Sequence, residues 1–113
     1  MKGNNPSRPA NGRLDEQDPQ VWGFRLYLAG DAPQSQRARA NLQAICDAYL
    51  NGNWHVEIID LLKEPRRFLE DEILVTPTLI RYTPPPVCRL MGNLSDRAAV
   101  LAVLGLKETA HGA

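Results

Sequence analysis

Paired cysteine is missing from this chain. Its two cysteines, Cys46 and Cys88, stand far apart, in neither a CxxC motif nor a Cys/His cluster at zinc spacing. Both are expected to pack as ordinary buried or half-buried thiols, and a reducing compartment disfavours a disulfide between them. An excess of charge is missing too. Lys+Arg number 13 and Asp+Glu 13, so the formal net charge is zero. Nothing in that balance draws the chain to nucleic acid or to an anionic membrane surface. No apolar run approaches the roughly 18 residues of a membrane helix. Met1 to Gln20 has no apolar centre of the kind a secretory signal needs, so a cytoplasmic protein is expected. Histidine is scarce: His55 and His111 are the two, and neither neighbours a Ser or Cys in a nucleophilic arrangement. There is no glycine-rich phosphate loop. The acidic run Glu70-Asp71-Glu72 has no metal-spaced partners and is expected to be a solvated helix face. No cofactor, metal or catalytic residue is expected, and the chain reads as a non-enzyme.

What is present suffices for one small domain. The chain has 113 residues, 43% hydrophobic and 23% charged. Residues 1–20 are rich in Pro, Asn, Gly and charge and offer little to bury, so they are expected to be a disordered extension. The ordered domain is placed at 21–107, with a short tail at 108–113.

Within that domain the pattern predicts seven elements. Trp22 to Leu28 reads as a strand, with Phe24, Leu26 and Leu28 on one face and Arg25 and Tyr27 on the other. A helix to about Leu50 follows, with Pro33 in its first turn and Asp31 and Gln34 as a capping box. Its buried stripe is Ala38, Leu42, Ile45 and Tyr49; Arg37 and Arg39 lie off it. Trp54 to Leu62 is a second strand, parallel to the first in a βαβ unit. A short helix is expected from Pro65 to Asp71, then strands at Thr78 to Tyr82 and Val87 to Met91. Gly92-Asn93 is a turn, and Ser95 is read as the cap of a last helix from Asp96 to about Leu106. The order β-α-β-α-β-β-α is that of a thioredoxin-like α/β domain.

In such a domain the nucleophilic thiol sits at the start of the first helix, where the dipole lowers its pKa. This chain reads Ala29-Gly30-Asp31-Ala32-Pro33-Gln34-Ser35 there. A serine hydroxyl cannot perform thiol–disulfide exchange. Thr76-Pro77 nevertheless stands where these folds open their second half with a proline, often cis. A landmark of the redox fold is present without its chemistry, which points to a binding module.

Six segments, taken together, resemble the KaiB family. They are Leu26-Tyr27-Leu28-Ala29-Gly30; Pro33-x-Ser35-x-Arg37-Ala38; Ile59-Asp60-Leu61-Leu62-Lys63-x-Pro65; Ile73-Leu74-Val75-Thr76-Pro77-Thr78-Leu79; Pro84-Pro85-Pro86-Val87; and Gly92-Asn93-Leu94-Ser95-Asp96-Arg97. The resemblance implies a non-enzymatic adaptor that binds the phosphorylated KaiC-type ATPase ring. In the clock such a protein captures KaiA and displaces the histidine kinase SasA. It also implies a metamorphic chain, in which a ground state, dimeric or tetrameric, rearranges its C-terminal half into the thioredoxin-like monomer. The mixed propensities of Val87 to Met91 and Ala99 to Leu104 are compatible with that.

Carried over by position, the resemblance puts Arg37 on the KaiC-binding face and His55 and Glu57 in the strand that holds KaiA. It puts Thr76 and Pro77 at the cis-proline step, with Gly92, Val103 and Gly105 in the half that changes fold. Two departures alter charge: Glu72 and Ala40 stand where clock members carry Lys, which weakens docking on an acidic partner. Val103-Leu104-Gly105 replaces a Gly-Leu-Asp, and valine there removes backbone freedom. These departures keep a second reading open: a KaiB-related regulator in stress or two-component signalling, bound to a partner such as a histidine kinase. A third, a thioredoxin-like enzyme with relocated chemistry, would depend on Cys46 or Cys88.

Overall fold

A computed structural model describes residues 21–106. The expected N-terminal extension and C-terminal tail lie outside the described residues. Seven elements follow in the expected order: β1 (Trp22–Leu28), α1 (Pro33–Tyr49), β2 (Trp54–Asp60), α2 (Arg67–Glu70), β3 (Thr78–Thr83), β4 (Cys88–Met91) and α3 (Arg97–Leu104). The four strands form one mixed sheet in the order β2-β1-β3-β4. β1 and β2 are parallel, with Leu26 opposite Ile58; β3 runs antiparallel to both β1 and β4.

Period-two alternation divides β1 between two cores. Phe24, Leu26 and Leu28 pack with Leu79, with Ala38, Leu42, Ile45 and Cys46 of α1, and with Val100, Leu101 and Leu104 of α3. Tyr27 points the other way and joins Ile59, Leu61, Ile73 and Ile80 in a smaller core, with Phe68 of α2 against it. Each fully buried aliphatic side chain contributes about 1.5–3 kcal/mol, so the larger cluster is the main source of stability.

Gly23 is required by packing. A Cβ there would lie 2.7 Å from the Tyr82 ring and 2.9 Å from the Thr83 methyl. It also stands beside the register shift between Gly23 and Phe24.

Four local expectations are corrected. Asp31 does not cap α1: the N-cap is Ala32, with no side-chain cap bond. Instead the Gln36 side-chain amide donates to the Asp31 carbonyl at 3.0 Å. β2 stops at Asp60, because its Oδ1 accepts the Gly30 and Leu62 N–H groups at 3.0 and 2.9 Å and turns the chain. α2 is one turn, Arg67–Glu70, shorter than the predicted helix. The cap of α3 is Asp96, whose Oδ1 accepts from the Ala99 N–H at 3.1 Å. Ser95 lies one residue outside the cap position, where its N–H donates to the Asn93 side-chain oxygen at 2.9 Å. At its other end α3 closes on Gly105 in the left-handed region, φ 77°, with the Leu106 N–H on the Leu101 carbonyl at 2.8 Å.

Candidate interaction surfaces

The place of the missing thiol is filled structurally. Ser35 is buried, and its Oγ accepts the Ala29 N–H at 3.2 Å. With Asp60 it pins the turn between β1 and α1. Cys46 is buried in the main core. Burial, helped by the neighbouring Asp47 charge, pushes its thiol up to about 12, so it is an inert core side chain. Cys88 is half-buried and also free; Arg81 Nη2 donates to its sulfur at 3.0 Å. Among the described residues no three His, Cys, Asp or Glu side chains are grouped as metal ligands would be.

The Thr76–Pro77 peptide is cis, and so are Thr83–Pro84 and Pro85–Pro86. The Pro77 carbonyl accepts the Gly92 N–H at 2.8 Å, which joins the start of β3 to the end of β4. Asn93 continues the link to α1: its side-chain amide donates to Gln34 at 2.7 Å, and the Asn41 amide donates to its carbonyl at 2.8 Å. Thr76, Pro77 and Gly92 are therefore brought into one neighbourhood. Val103 and Gly105 are elsewhere, on the exposed side and at the end of α3.

On the face of the sheet opposite α1 and α3, Arg25, His55, Glu57 and Tyr82 form one cluster. Arg25 Nε donates to Glu57 at 3.3 Å and its guanidinium lies 4.9 Å from the Tyr82 ring centroid. The Tyr82 hydroxyl is 3.4 Å from His55 Nε2. His55 and Glu57 thus share a face of β2, which is an edge strand with one side unpaired among the described residues. Arg37 is not part of this cluster. It is exposed on α1 and reaches Gln34 of its own helix at 3.4 Å.

The segment from α2 to β3 presents the most exposed apolar surface. Leu69 is 86% and Leu74 85% exposed, with Val75 also open. Phe68, Leu69, Glu72, Ile73, Leu74 and Arg89 line a groove there. Isolated exposed leucines are ordinary, but a grouped set on a groove is a candidate interaction surface.

No local pattern announces how this segment is held. Asp71, expected on a solvated face, is instead the centre of a buried-edge network. The Tyr27 hydroxyl, on a side chain 1% exposed, donates to Asp71 Oδ2 at 2.7 Å. Arg67 Nε donates to the same oxygen at 2.9 Å. Burial pushes the Asp71 carboxyl up, but the Tyr27 hydroxyl and the Arg67 guanidinium outweigh it and hold it below the ordinary carboxylate value. Tyr27 is raised by burial first and then by this bond. Arg81 was also missed. It is 5% exposed, with the Leu104 carbonyl accepting from Nη1 at 2.9 Å, the Pro86 carbonyl from Nη2 at 2.8 Å, and the Trp22 ring 4.7 Å from the guanidinium. It ties the end of α3 to the proline loop. The available signal was a charge inside Thr78-Leu79-Ile80-Arg81, an otherwise buried strand run.

Fold and surfaces together define a thioredoxin-like domain that has no thiol pair and presents an open strand edge and an apolar groove. The KaiB domain model matches residues 25–106. Circadian clock protein KaiB3 of Synechocystis is 46% identical over 89 residues, covering 79% of this chain and 85% of that protein. The circadian clock oscillator protein KaiB of Prochlorococcus marinus is also 46% identical, over 83 residues, covering 74% of this chain and 79% of its own length. The chain belongs to the KaiB family of circadian clock proteins. Among solved structures, the N-terminal domain of Synechococcus elongatus SasA superposes with a TM-score of 0.62 at 22% identity, covering 90% of this chain and 93% of that one. Yeast mitochondrial thioredoxin 3 does so at 0.61 and 16%, covering 83% and 85%. At such identities these two likenesses describe the fold alone.

Proposed function

We propose that this protein is a non-enzymatic, cytoplasmic KaiB-type adaptor that docks on a KaiC-type ATPase ring through the α2–β3 groove, with Arg37 of α1 at the same interface. The observation that carries this reading is the exposure of Leu69 and Leu74 on a groove whose backbone is anchored from below. Covering such side chains on docking would contribute about 1.5–3 kcal/mol each from apolar surface removed from water. The open edge of β2, with His55 and Glu57, is the surface for a KaiA-type partner, and competition for the ring would displace a SasA-type kinase. The rearranged ground state, dimer or tetramer, belongs to the same reading, with Thr76-Pro77 as pivot and Gly92, Val103 and Gly105 inside the half that changes.

Glu72 favours a second reading. It is exposed on the groove rim, and an acidic group there repels an acidic partner. A partner with a basic docking surface, such as a histidine kinase in two-component or stress signalling, would fit that rim better. Size-exclusion chromatography of the protein mixed with a phosphomimetic KaiC-type ring separates the two. We expect a shift into the ring fraction after hours of incubation, abolished by Leu74→Asp. No shift at high concentration would leave the kinase reading.

A further inference from the structure

Residues 71 and 72 are gripped from two strands that are not neighbours in the sheet. From β1, Tyr27 holds the Asp71 carboxylate at 2.7 Å. From β4, the two arms of Arg89 take successive carbonyls: Nη1 donates to Glu72 at 2.8 Å and Nη2 to Asp71 at 3.0 Å. Those carbonyls close the one-turn α2, where orphan acceptors need donors and a cation is favoured. Glu72 also holds a left-handed backbone, φ 56°, without being glycine. Such a residue is strained and persists where its surroundings over-determine it. The same Arg89 lines the groove together with Phe68, Leu69, Ile73 and Leu74.

We propose that Arg89 is a positioning residue of the docking groove: its guanidinium, bound to the Asp71 and Glu72 carbonyls, holds the α2–β3 turn in its binding shape. This rests on the groove being the docking surface. β4 is a four-residue edge strand, Cys88–Met91, the shortest in the sheet. Its registration with β3 places Arg89 opposite Ile80, whose side chain belongs to the same small core as Ile73. Without the guanidinium the strained turn would be held by Tyr27, Arg67 and its own backbone bonds.

Hydrogen exchange and binding, measured on Arg89→Ala, Arg89→Lys and Leu69→Ala, test this. The amides of Asp71, Glu72 and Ile73 donate within the turn, to Arg67, Leu69 and Phe68, and so report its closure. In Arg89→Ala they should exchange about tenfold faster, the size expected for losing charge-assisted bonds to two carbonyls. The β1 and β2 amides should be unaffected, and ring binding should weaken by a similar factor. Lysine, a point donor without the fork, should recover part of both. Leu69→Ala should weaken binding and leave exchange unchanged. Unchanged exchange at 71–73 in Arg89→Ala, or equal acceleration throughout the sheet, would overturn the assignment. If wild type binds no ring while Arg89→Ala still loosens the turn, the docking reading fails and the positioning role stands.

Discussion

Asp71 shows how much one carboxylate can carry. Its folded pKa lies below the ordinary value of about 3.9, so it contributes stability above that pH. The contribution is lost as pH falls through the depressed folded value, where protonation weakens the Tyr27 and Arg67 bonds. Hydrogen bonds to a charged group are worth about 1.5–3 kcal/mol, so Asp71→Asn should lower the unfolding free energy obtained from urea titration at pH 7 by an amount of that order. The gap between wild type and Asp71→Asn should narrow as pH is taken below about 4, and urea titrations at pH 7 and pH 3 check it. In sequence Asp71 was indistinguishable from Glu70 and Glu72 beside it. Its role depends on a tyrosine 44 positions upstream, which no local pattern announces. Tyr27 itself was placed on the correct face of β1, but nothing local said that this face is also covered.

At the scale of elements, local signals were read well where the chain answers to local energetics. The strand and helix order follows from alternation, helical spacing and turn residues, and it was legible throughout. Caps were less so, because several polar residues compete within one turn. Ser95 and Asp96 are adjacent candidates; Asp96 holds the cap position, its Oδ1 on the Ala99 N–H, while the Ser95 N–H is turned to the Asn93 side chain. Asp96→Ala should therefore cost about 0.5–2 kcal/mol, whereas Ser95→Ala should be nearly neutral. Thermal melts of the two variants check this. Asp31 lost its expected role for a related reason. Pro33 removes one N–H at the start of α1, and the turn before it is already pinned by Ser35 and Asp60.

For the whole molecule, the two candidate surfaces are separate constructions on one sheet. Glu57 stands on β2, at one edge, while the groove is built from α2, the turn after it and Arg89 of β4, the opposite edge. Substitutions on them should behave independently, as sites without shared partners do. Glu57→Lys should leave ring binding within about twofold while impairing a KaiA-type partner; Leu74→Asp should remove ring binding and leave folding intact. Circular dichroism and binding isotherms on both variants check this. Family membership was legible in the sequence because ordered segments, each modest alone, span nearly the whole domain. The interface geometry was not, since it comes from contacts between segments far apart in the chain.

The sequence by itself determined the order of elements, the division of β1 into two faces, the absence of a redox pair and the family. These rest on periodicity, on turn and proline chemistry, and on which side chains are present. Only the tertiary structure decided that Ser35 is a buried acceptor, that Asp71 is anchored by Tyr27, that Arg81 is buried under Trp22, and that Arg89 reaches back to the α2 turn. Each of these is a polar group whose partner is set by packing. A buried polar atom must find a partner, and which one it finds is fixed when strands and helices come together.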